Sequence, residues 1–452
     1  MKHVAKIAAI LLAFLMIFAG CSTGSAGSSD ASSTPSASTA SSEAESEDSS
    51  ASGEEVTLSF MHHMGEQGKK DALVALSEDF TAKNPNIKVE VEFLSYDDFI
   101  NVFKQRAAAD NAPDFVQLTP YQSPETIDAG LILELDSDLY PAEVGQDVIE
   151  PMKHGGKYYA IPLSRSGYGM YYNKNMLEKA GVDPSALSTI SGLLDACQKV
   201  KDAGMVPLAS GYAESWTENM IIEGPIFAGL MKEDPNMAVD LMSGDKKFSD
   251  YPELATIVDN CYKLLRDYAL VNEEVASNQA SDQYAQFGRG DAAMMMQGVW
   301  AITDIRTAQE AAGNTDEFGF TYYAWSDDES RNYLAANGDS IMCSAGTKHP
   351  EEAKEFLKYM MTKEAGKIWS EYTGTISAVS GVEVDNPDPI MPQMQKLFDE
   401  KAYYFEQNSA FTGQYYSDLD KIFIQGRVDG KTSDEVIAEW QEAFDNIRAI
   451  GG

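Results

Sequence analysis

The chain has 452 residues, and its 71 acidic and 34 basic residues give a formal net charge of −37. A surface with this excess of negative charge repels polyanions, which argues against a nucleic-acid-binding protein. A single hydrophobic core rarely serves a chain of this length, so the sequence predicts two domains.

Residues 1–20 have the pattern of a secretory signal peptide. Lys2 and Lys6 precede an apolar run over residues 7–18, which is too short to cross a hydrocarbon core about 30 Å thick. Two small residues then precede Cys21, and this junction resembles the lipobox of bacterial lipoproteins, although Phe18 stands where that motif usually has Leu. The resemblance implies cleavage before Cys21 and a lipid anchor there, with acyl chains such as palmitate. Plain secretion is the alternative.

Residues 21–53 are predicted to form a disordered tether. The segment is dominated by serine, alanine and acidic residues and has no large apolar side chain to bury. A flexible coil of this length has a reach of roughly 30 Å. Because no basic amphipathic helix accompanies it, membrane contact is expected through the lipid anchor only.

The segment after the tether alternates strand and helix patterns. Apolar residues alternate over 56–60, take helical spacing over 73–80, and alternate again over 87–93. A second helix over about 97–109 and a strand over 113–118 complete a β-α-β-α-β order. This order favours a parallel sheet with helices on its faces.

Loops at the carboxyl ends of such strands are where open α/β sheets bind ligands. HHMGEQG (62–68) and TPYQS (119–123) are two of these loops. Further on, the strand-like runs VPLAS (206–210), AAMMM (292–296) and FGFTYY (318–323) are each followed by a tryptophan. Core packing is the usual role of a tryptophan, but its repetition at equivalent places favours ligand platforms at Trp216, Trp300 and Trp325, together with Tyr121.

Three longer segments resemble the extracellular solute-binding proteins of carbohydrate ABC importers, the maltose-binding-protein-like family. They are GGKYYAIPLSRSGYGMYYNKNMLEKAG (155–181), FGRGDAAMMMQGVWA (287–301) and NGDSIMCSAGTKHPEEAKEFLKYMMTKEAGKIWSEYTGTISAV (337–379), and APDFVQL (112–118) fits an early strand of that family. The four matches stand in the family's order.

The resemblance implies an α/β, two-lobed periplasmic-binding-protein-like fold with a hinge of several crossings. Each lobe would be a mostly parallel sheet flanked by helices, and the ligand would lie in the cleft between the lobes. The implied division assigns 54–163 and 338–375 to the first lobe and 164–337 and 376–452 to the second.

The resemblance also implies a set of ligand-binding residues. Glu66, Tyr121, Trp216, Trp300 and Tyr415 match family contact positions, and four residues lie beside matched segments: His63, Arg165, Asn337 and Asp339. Aromatic faces pack on the C–H face of a sugar, while charged and amide groups bind its hydroxyls. The expected function is binding of an extracellular sugar, with an oligosaccharide favoured, and its delivery to the transmembrane subunits of an ABC importer. A monomer without cofactor or catalytic residues is expected.

Three alternatives remain open. A peptide- or polyamine-binding protein could share this architecture, and the negative charge suits polyamines. An exported glycosidase needs two carboxyl groups about 5–9.5 Å apart, which a chain with 71 acidic residues cannot exclude. His62 and His63 prompt a metal-binding lipoprotein, although no His-rich tract is present and no metal is expected.

Three cysteines follow Cys21, namely Cys197, Cys261 and Cys343. Their odd number and wide spacing imply no disulfide framework and no metal site. Three free or buried thiols are expected, with one bridge and a leftover thiol as the alternative.

Overall fold

Two large β-sheets and one two-stranded sheet make up the β-structure of the described part of the chain. The computed structural model describes residues 55–120, 123–269, 277–404 and 411–450, without the side chains of residues 96, 97 and 337. The predicted signal peptide, the tether, Cys21 and Tyr121 lie outside these ranges.

The strands are, in chain order, β1 (Val56–His62), β2 (Ile87–Phe93), β3 (Phe115–Val116), β4 (Lys153–His154), β5 (Lys157–Tyr158), β6 (Ala160–Pro162), β7 (Ser164–Asn173), β8 (Val206–Leu208), β9 (Ala292–Gly298), β10 (Phe318–Thr321), β11 (Leu334–Asn337), β12 (Ser340–Cys343), β13 (Ile376–Ser377) and β14 (Ala402–Tyr404).

The first sheet has the order β2-β1-β3-β12-β6. Strands β1, β2 and β3 are mutually parallel, as the sequence predicts, and β12 runs antiparallel to both of its neighbours. The second sheet has the order β14-β11-β7-β9-β8, with β10 and β13 also paired to β7. Both sheets are therefore mixed. In the second, the long strand β7 runs against β9, β10, β11 and β13.

The α-helices are α1 (Gln67–Lys83), α2 (Tyr96–Ala108), α3 (Pro124–Asp128), α4 (Gln146–Ile149), α5 (Lys174–Lys179), α6 (Ile190–Asp202), α7 (Ser215–Pro225), α8 (Met231–Glu233), α9 (Met237–Ser243), α10 (Glu253–Lys263), α11 (Ala280–Arg289), α12 (Ile302–Ala311), α13 (Pro350–Met360), α14 (Lys363–Thr373), α15 (Met391–Lys401), α16 (Gly413–Asp429) and α17 (Ser433–Ala449).

Each sheet has its own apolar core. Leu58 and Phe60 of β1 pack with the Leu73 and Phe80 stripe of α1 in the core of the first sheet. Met294 and Met296 of β9 lie in the core of the second sheet, so the triple-methionine run is a buried strand as predicted. The alternating and helical patterns placed these elements correctly because each buries one face against a sheet.

The three cysteines within the described ranges, Cys197, Cys261 and Cys343, are free and buried. They behave as small core residues, and burial raises the pKa of each thiol. The alternative of one bridge with a leftover thiol is therefore wrong. No helix in the described part of the chain is long and apolar enough to cross a membrane.

Candidate functional site

The chain segments that carry several of the predicted ligand residues leave the sheets at their carboxyl edges. The loop with His63 and Glu66 follows β1, which is parallel to β3. In the second sheet, β8 is parallel to β9, and both β9 and β11 run antiparallel to β7. The chain segments that carry Trp216, Trp300 and Asp339 therefore leave that sheet at one edge, where α/β sheets bind ligands.

Trp216 and Trp300 form a pair of partly buried aromatic rings. Their centroids are 6.3 Å apart and their planes are inclined by 55°. The indole of Trp300 lies directly on Gly298, because a Cβ atom at that position would come within 2.3 Å of three carbon atoms of the ring. Glycine two residues before the tryptophan thus lets the indole fold back over the end of β9.

Lys69 connects the two sheets at this point. It lies in the first turn of α1, is only 4% exposed, and its Nζ is 2.9 Å from Oδ1 of Asp339 and 3.9 Å from Oε2 of Glu66. The same ammonium lies 5.2 Å from the ring centroid of Trp300, within the range of a cation–π interaction. Burial alone would lower the pKa of Lys69, but the charges of Asp339 and Glu66 raise it above its usual value, so the side chain stays protonated.

The beginnings of α1 and α12 meet beside this cluster. The backbone N–H of Gln67 donates a hydrogen bond to the carboxylate of Asp304, which is a favourable place for an anion because N–H groups at a helix start lack partners. Burial and then the charge of Glu66 raise the pKa of Asp304 to about 6. Gly68 is packed so closely that an added Cβ would lie 2.7 Å from Oγ1 of Thr303.

The indole N–H of Trp300 is directed at the hydroxyl oxygen of Tyr284, and both atoms are shielded from solvent. Burial and then the charge of Glu66 raise the pKa of Tyr284 well above its usual value, so this hydroxyl keeps its proton. Because an indole N–H can only donate, the hydroxyl hydrogen of Tyr284 stays available for a ligand that brings a hydrogen-bond acceptor.

His63 lies next to this cluster but faces its own sheet. Its ring packs edge-on against Phe99 at 4.8 Å between centroids. Burial, and then the positive charge of Lys69, lower its pKa to about 3. The imidazole is therefore neutral at physiological pH. In the described part of the chain, no group of three or more His, Cys, Asp or Glu side chains could hold a metal ion.

Trp325 is not a ligand platform, contrary to the sequence-based prediction. It is 6% exposed, its Nε1 donates to the carbonyl of Arg331, and its ring fills the space beside Gly229. Strand β10 ends opposite Met170, whereas β11 continues to Ser166 at the carboxyl edge. The residues after β10 therefore pack into the core before they reach the cleft.

Arg165 is also placed away from the cluster. Its guanidinium binds Asp399 at 2.8 Å and Asp147 at 3.3 Å. Adjacent strand residues point to opposite faces, and the neighbouring Ser164 donates to Asp339 on the cluster side at 3.4 Å. Arg165 thus joins chain segments on the other face of β7.

Tyr415 faces α17 and not the tryptophans. Its ring packs edge-on against Phe444 at 4.8 Å. The next residue, Tyr416, stacks with Phe227 and donates a hydrogen bond to Glu223 of α7, the helix that carries Trp216. Successive residues on a helix point about 100° apart, so the two tyrosine rings have different neighbours. Asn337 ends β11 opposite Ser166.

Sequence reasoning missed Lys69, Tyr284 and Asp304. A signal existed for Lys69, because it stands four residues before Leu73 and so extends the apolar stripe of α1 by one turn. A lysine on a buried stripe needs a partner, and Glu66 is three residues away. No pattern in the sequence marks Tyr284 or Asp304.

Known proteins resemble this chain in sequence. A sequence profile described as "Bacterial extracellular solute-binding protein" matches residues 66–367. The chain is 24% identical over 389 residues to the "Multiple sugar-binding protein" of Streptococcus mutans, which covers 83% of this chain and 86% of that protein. It is 22% identical over 350 residues to the "Melibiose/raffinose/stachyose-binding protein MelE" of Bacillus subtilis, covering 75% and 78%.

Solved structures share the fold. The structure titled "Chitin oligosaccharide binding protein" superimposes with a TM-score of 0.75 at 19% identity, covering 88% of this chain and 100% of that one. The structure titled "SBP RafE in complex with raffinose" gives a TM-score of 0.70 at 22% identity, covering 86% and 99%. The predicted two-lobed binding-protein fold is confirmed.

The profile spans more than half of the chain, so the protein belongs to the bacterial extracellular solute-binding protein family. Members of this family bind solutes outside the cell and are not defined by catalysis.

Proposed function

We propose that this protein binds an oligosaccharide between its two sheets and delivers it to an ABC importer in the membrane. The observation that carries the proposal is the tilted pair Trp216 and Trp300, which lies beside Glu66, Lys69 and Asp339. The relatives named for sugars and the structure titled with raffinose support it.

The chemistry of this group suits a carbohydrate. Indole faces pack on the C–H face of a pyranose, and charged carboxylates accept hydrogen bonds from hydroxyl groups. The hydroxyl of Tyr284, which lies beside the indole N–H of Trp300, would donate to a sugar oxygen. The site thus combines flat apolar surface with donors and acceptors, as sugar hydroxyls require.

The polyamine alternative is less compatible with the site. The ammonium of Lys69 already lies over Trp300 and is bound by Asp339. The position that would attract a ligand cation is therefore occupied by a cation of the protein itself. A glycosidase is also disfavoured. Glu66 and Asp339 are both within ion-pair distance of Lys69, and the family profile describes a solute-binding protein.

The lobes are proposed to be 54–163 with 338–375 and 164–337 with 376–452. In support, the strands of the first sheet fall within 56–162 and 340–343, and those of the second within 164–337 and 376–404. A ligand that contacts both sheets favours the closed state by its differential affinity, so X-ray scattering should give a smaller radius of gyration with ligand.

A thermal-shift screen of the mature protein tests the proposed function. The panel contains raffinose, melibiose, stachyose, chito-oligosaccharides and xylo-oligosaccharides, with spermidine and a tripeptide as the competing classes. A ligand at one hundred times its Kd stabilises the folded state by about 2.7 kcal/mol. Stabilisation by a saccharide is the expected result. Stabilisation by spermidine or the peptide, with none by any saccharide, would overturn the proposal.

The protein is further proposed to be a monomeric lipoprotein anchored through Cys21. The small residues before this cysteine and the polar segment behind it support the anchor. Replacing Cys21→Ser and fractionating the cells is the test. The variant should leave the membrane fraction, and its full retention there would contradict the anchor.

A further inference from the structure

An exposed aromatic ring lies at the outer end of the first sheet. Phe93 is the last residue of β2, which is the outermost strand in the order β2-β1-β3-β12-β6. Its side chain is 46% exposed, whereas Ile87 and Val89, which alternate along the same strand, are buried in the core beside α1. Alternate side chains of a strand share one face of the sheet, so Phe93 continues the buried face of β2 out into solvent.

Two neighbours hold this ring in a defined orientation. The ammonium of Lys70 lies 4.3 Å from its centroid, within the range of a cation–π interaction. The ring of His62, the residue paired with Phe93 in β1, lies 5.6 Å away and is inclined by 57°. Burial, and then the positive charge of Lys70, lower the pKa of His62 to about 4, so the imidazole packs in its neutral form. A side chain that is ordered beforehand loses less conformational entropy when a ligand binds.

The position of Phe93 distinguishes it from an ordinary exposed apolar residue, which by itself needs no functional explanation. Strands β1 and β2 are parallel, and their register places Phe93 level with His62. The loop with His63 and Glu66 begins at the next residue of β1. Phe93 therefore lies at the carboxyl edge of the first sheet, the edge at which the candidate site is built and at which open α/β sheets bind ligands.

The first turn of α1 lies between Phe93 and the tryptophans. Lys69 and Lys70 are successive residues of this turn, and Glu66 directly precedes the helix. The ammonium of Lys69 lies 5.2 Å from the ring centroid of Trp300, and that of Lys70 lies 4.3 Å from the ring centroid of Phe93. Successive residues on a helix point about 100° apart, so the two ammonium groups extend in different directions. The rings of Trp300 and Phe93 thus flank the start of α1.

We propose that Phe93 is a further ligand-binding residue, which forms an outer aromatic platform for an oligosaccharide. A saccharide that lies on Trp216 and Trp300 and extends past Glu66 along the carboxyl edge would place a later sugar unit on Phe93. The ligand class is therefore an oligosaccharide long enough to pass the start of α1, and it binds more tightly than its shorter homologues. This proposal rests on the proposed function, because it adds a contact to the same ligand.

Calorimetric titration with saccharides of increasing length tests the proposal. The series run from melibiose through raffinose to stachyose, and from the disaccharide to the hexasaccharide of the chito- and xylo-oligosaccharides. We expect the Kd of the wild type to fall with length within the series that binds. Phe93→Ala should weaken the binding of the longest member about three- to tenfold, the usual contribution of an aromatic contact, and should leave the Kd of the shortest member unchanged.

Two variants serve as controls. Phe93→Tyr keeps the ring and should keep the affinity of the wild type at every length. Val74→Ala removes apolar surface of similar exposure, because Val74 is 49% exposed and stands one turn after Lys70 on α1, away from the carboxyl edge. It should change no Kd. If Phe93→Ala does not fold, Phe93→Leu, which has no flat ring, takes its place with the same expectation.

Three results would overturn the proposal. They are a wild-type Kd that does not change with length, a Phe93→Ala variant that binds the longest saccharide like the wild type, and a loss of affinity that is equal for the shortest and the longest saccharide. The last result would mean that the substitution disturbs the tryptophan site as a whole. If no saccharide of any length binds, the proposed function itself fails. Binding that is independent of length leaves that function intact and removes only the outer platform.

Discussion

Replacing Trp300 by alanine separates a ligand platform from a core residue. Trp300 is partly buried, one face of its indole rests on Gly298, and its Nε1 lies beside the hydroxyl of Tyr284. A fully buried tryptophan costs about 3–5 kcal/mol when truncated to alanine. A partly buried ring on a glycine should cost roughly half of that in unfolding free energy.

The larger effect should appear in binding. Truncation removes the stacking surface, the indole N–H beside Tyr284 and the cation–π contact with Lys69 at 5.2 Å. A binding residue of this kind contributes about 2 kcal/mol or more, which corresponds to a Kd about thirty times weaker. Calorimetric titration with the best saccharide of the panel measures the change in affinity, and chemical denaturation measures the change in stability.

Trp325→Ala is the matched control. Trp325 is 6% exposed and its indole N–H is already bonded to the carbonyl of Arg331. We expect this variant to lose about 3–5 kcal/mol of stability while the folded fraction keeps its Kd. If Trp300→Ala binds like the wild type, or if Trp325→Ala loses affinity while Trp300→Ala loses only stability, the assignment of the two tryptophans is wrong.

Three further predictions follow from close contacts and charge. Gly298→Ala should displace the indole of Trp300, because the new Cβ would lie 2.3 Å from ring atoms, and titration should show weaker binding with little change in melting temperature. Gly68→Ala should lower the melting temperature, because the new Cβ would lie 2.5 Å from the backbone carbonyl oxygen of Tyr372 and 2.7 Å from Oγ1 of Thr303; an unchanged melting temperature contradicts this contact. The raised pKa of Asp304 predicts stability that is present below its ordinary pKa of 3.8 and lost as the pH rises through about 6. Asp304→Asn should flatten this part of the melting profile, and a profile like that of the wild type would refute the prediction.

The sequence predicted local structure well wherever one face of an element is buried against a sheet. The alternation over β1 and β2 and the apolar stripe of α1 appear in the structure close to their predicted bounds. The segment after β9 that carries Trp300 was also identified, because this tryptophan follows a strand-like run. The positions of Trp216 and Trp300 at one sheet edge agree with that interpretation, and their roles as ligand contacts stay predictions.

The predictions for Trp325, Tyr415 and Arg165 depended on long-range packing that the sequence does not show. Trp325 follows a strand as Trp300 does, but β10 ends before it reaches the carboxyl edge of the sheet. Where a strand ends relative to its neighbours depends on how the strands pair, and the local sequence does not show this. Tyr415 and Tyr416 stand side by side in the sequence, and only the packing of α16 against α7 and α17 decides which ring faces which helix. Arg165 forms hydrogen bonds with Asp147, 18 residues before it, and with Asp399, 234 residues after it.

The sequence by itself predicted the alternating strands and helices, the family and the aromatic residues that follow the strands, while the export signal stays a prediction. These features depend on local periodicity and on motifs within a few residues. The tertiary structure decided that Lys69 joins Glu66, Asp339 and Trp300. A buried charge is stable only with its partners, and these partners come from distant parts of the chain, so folding alone brings them together.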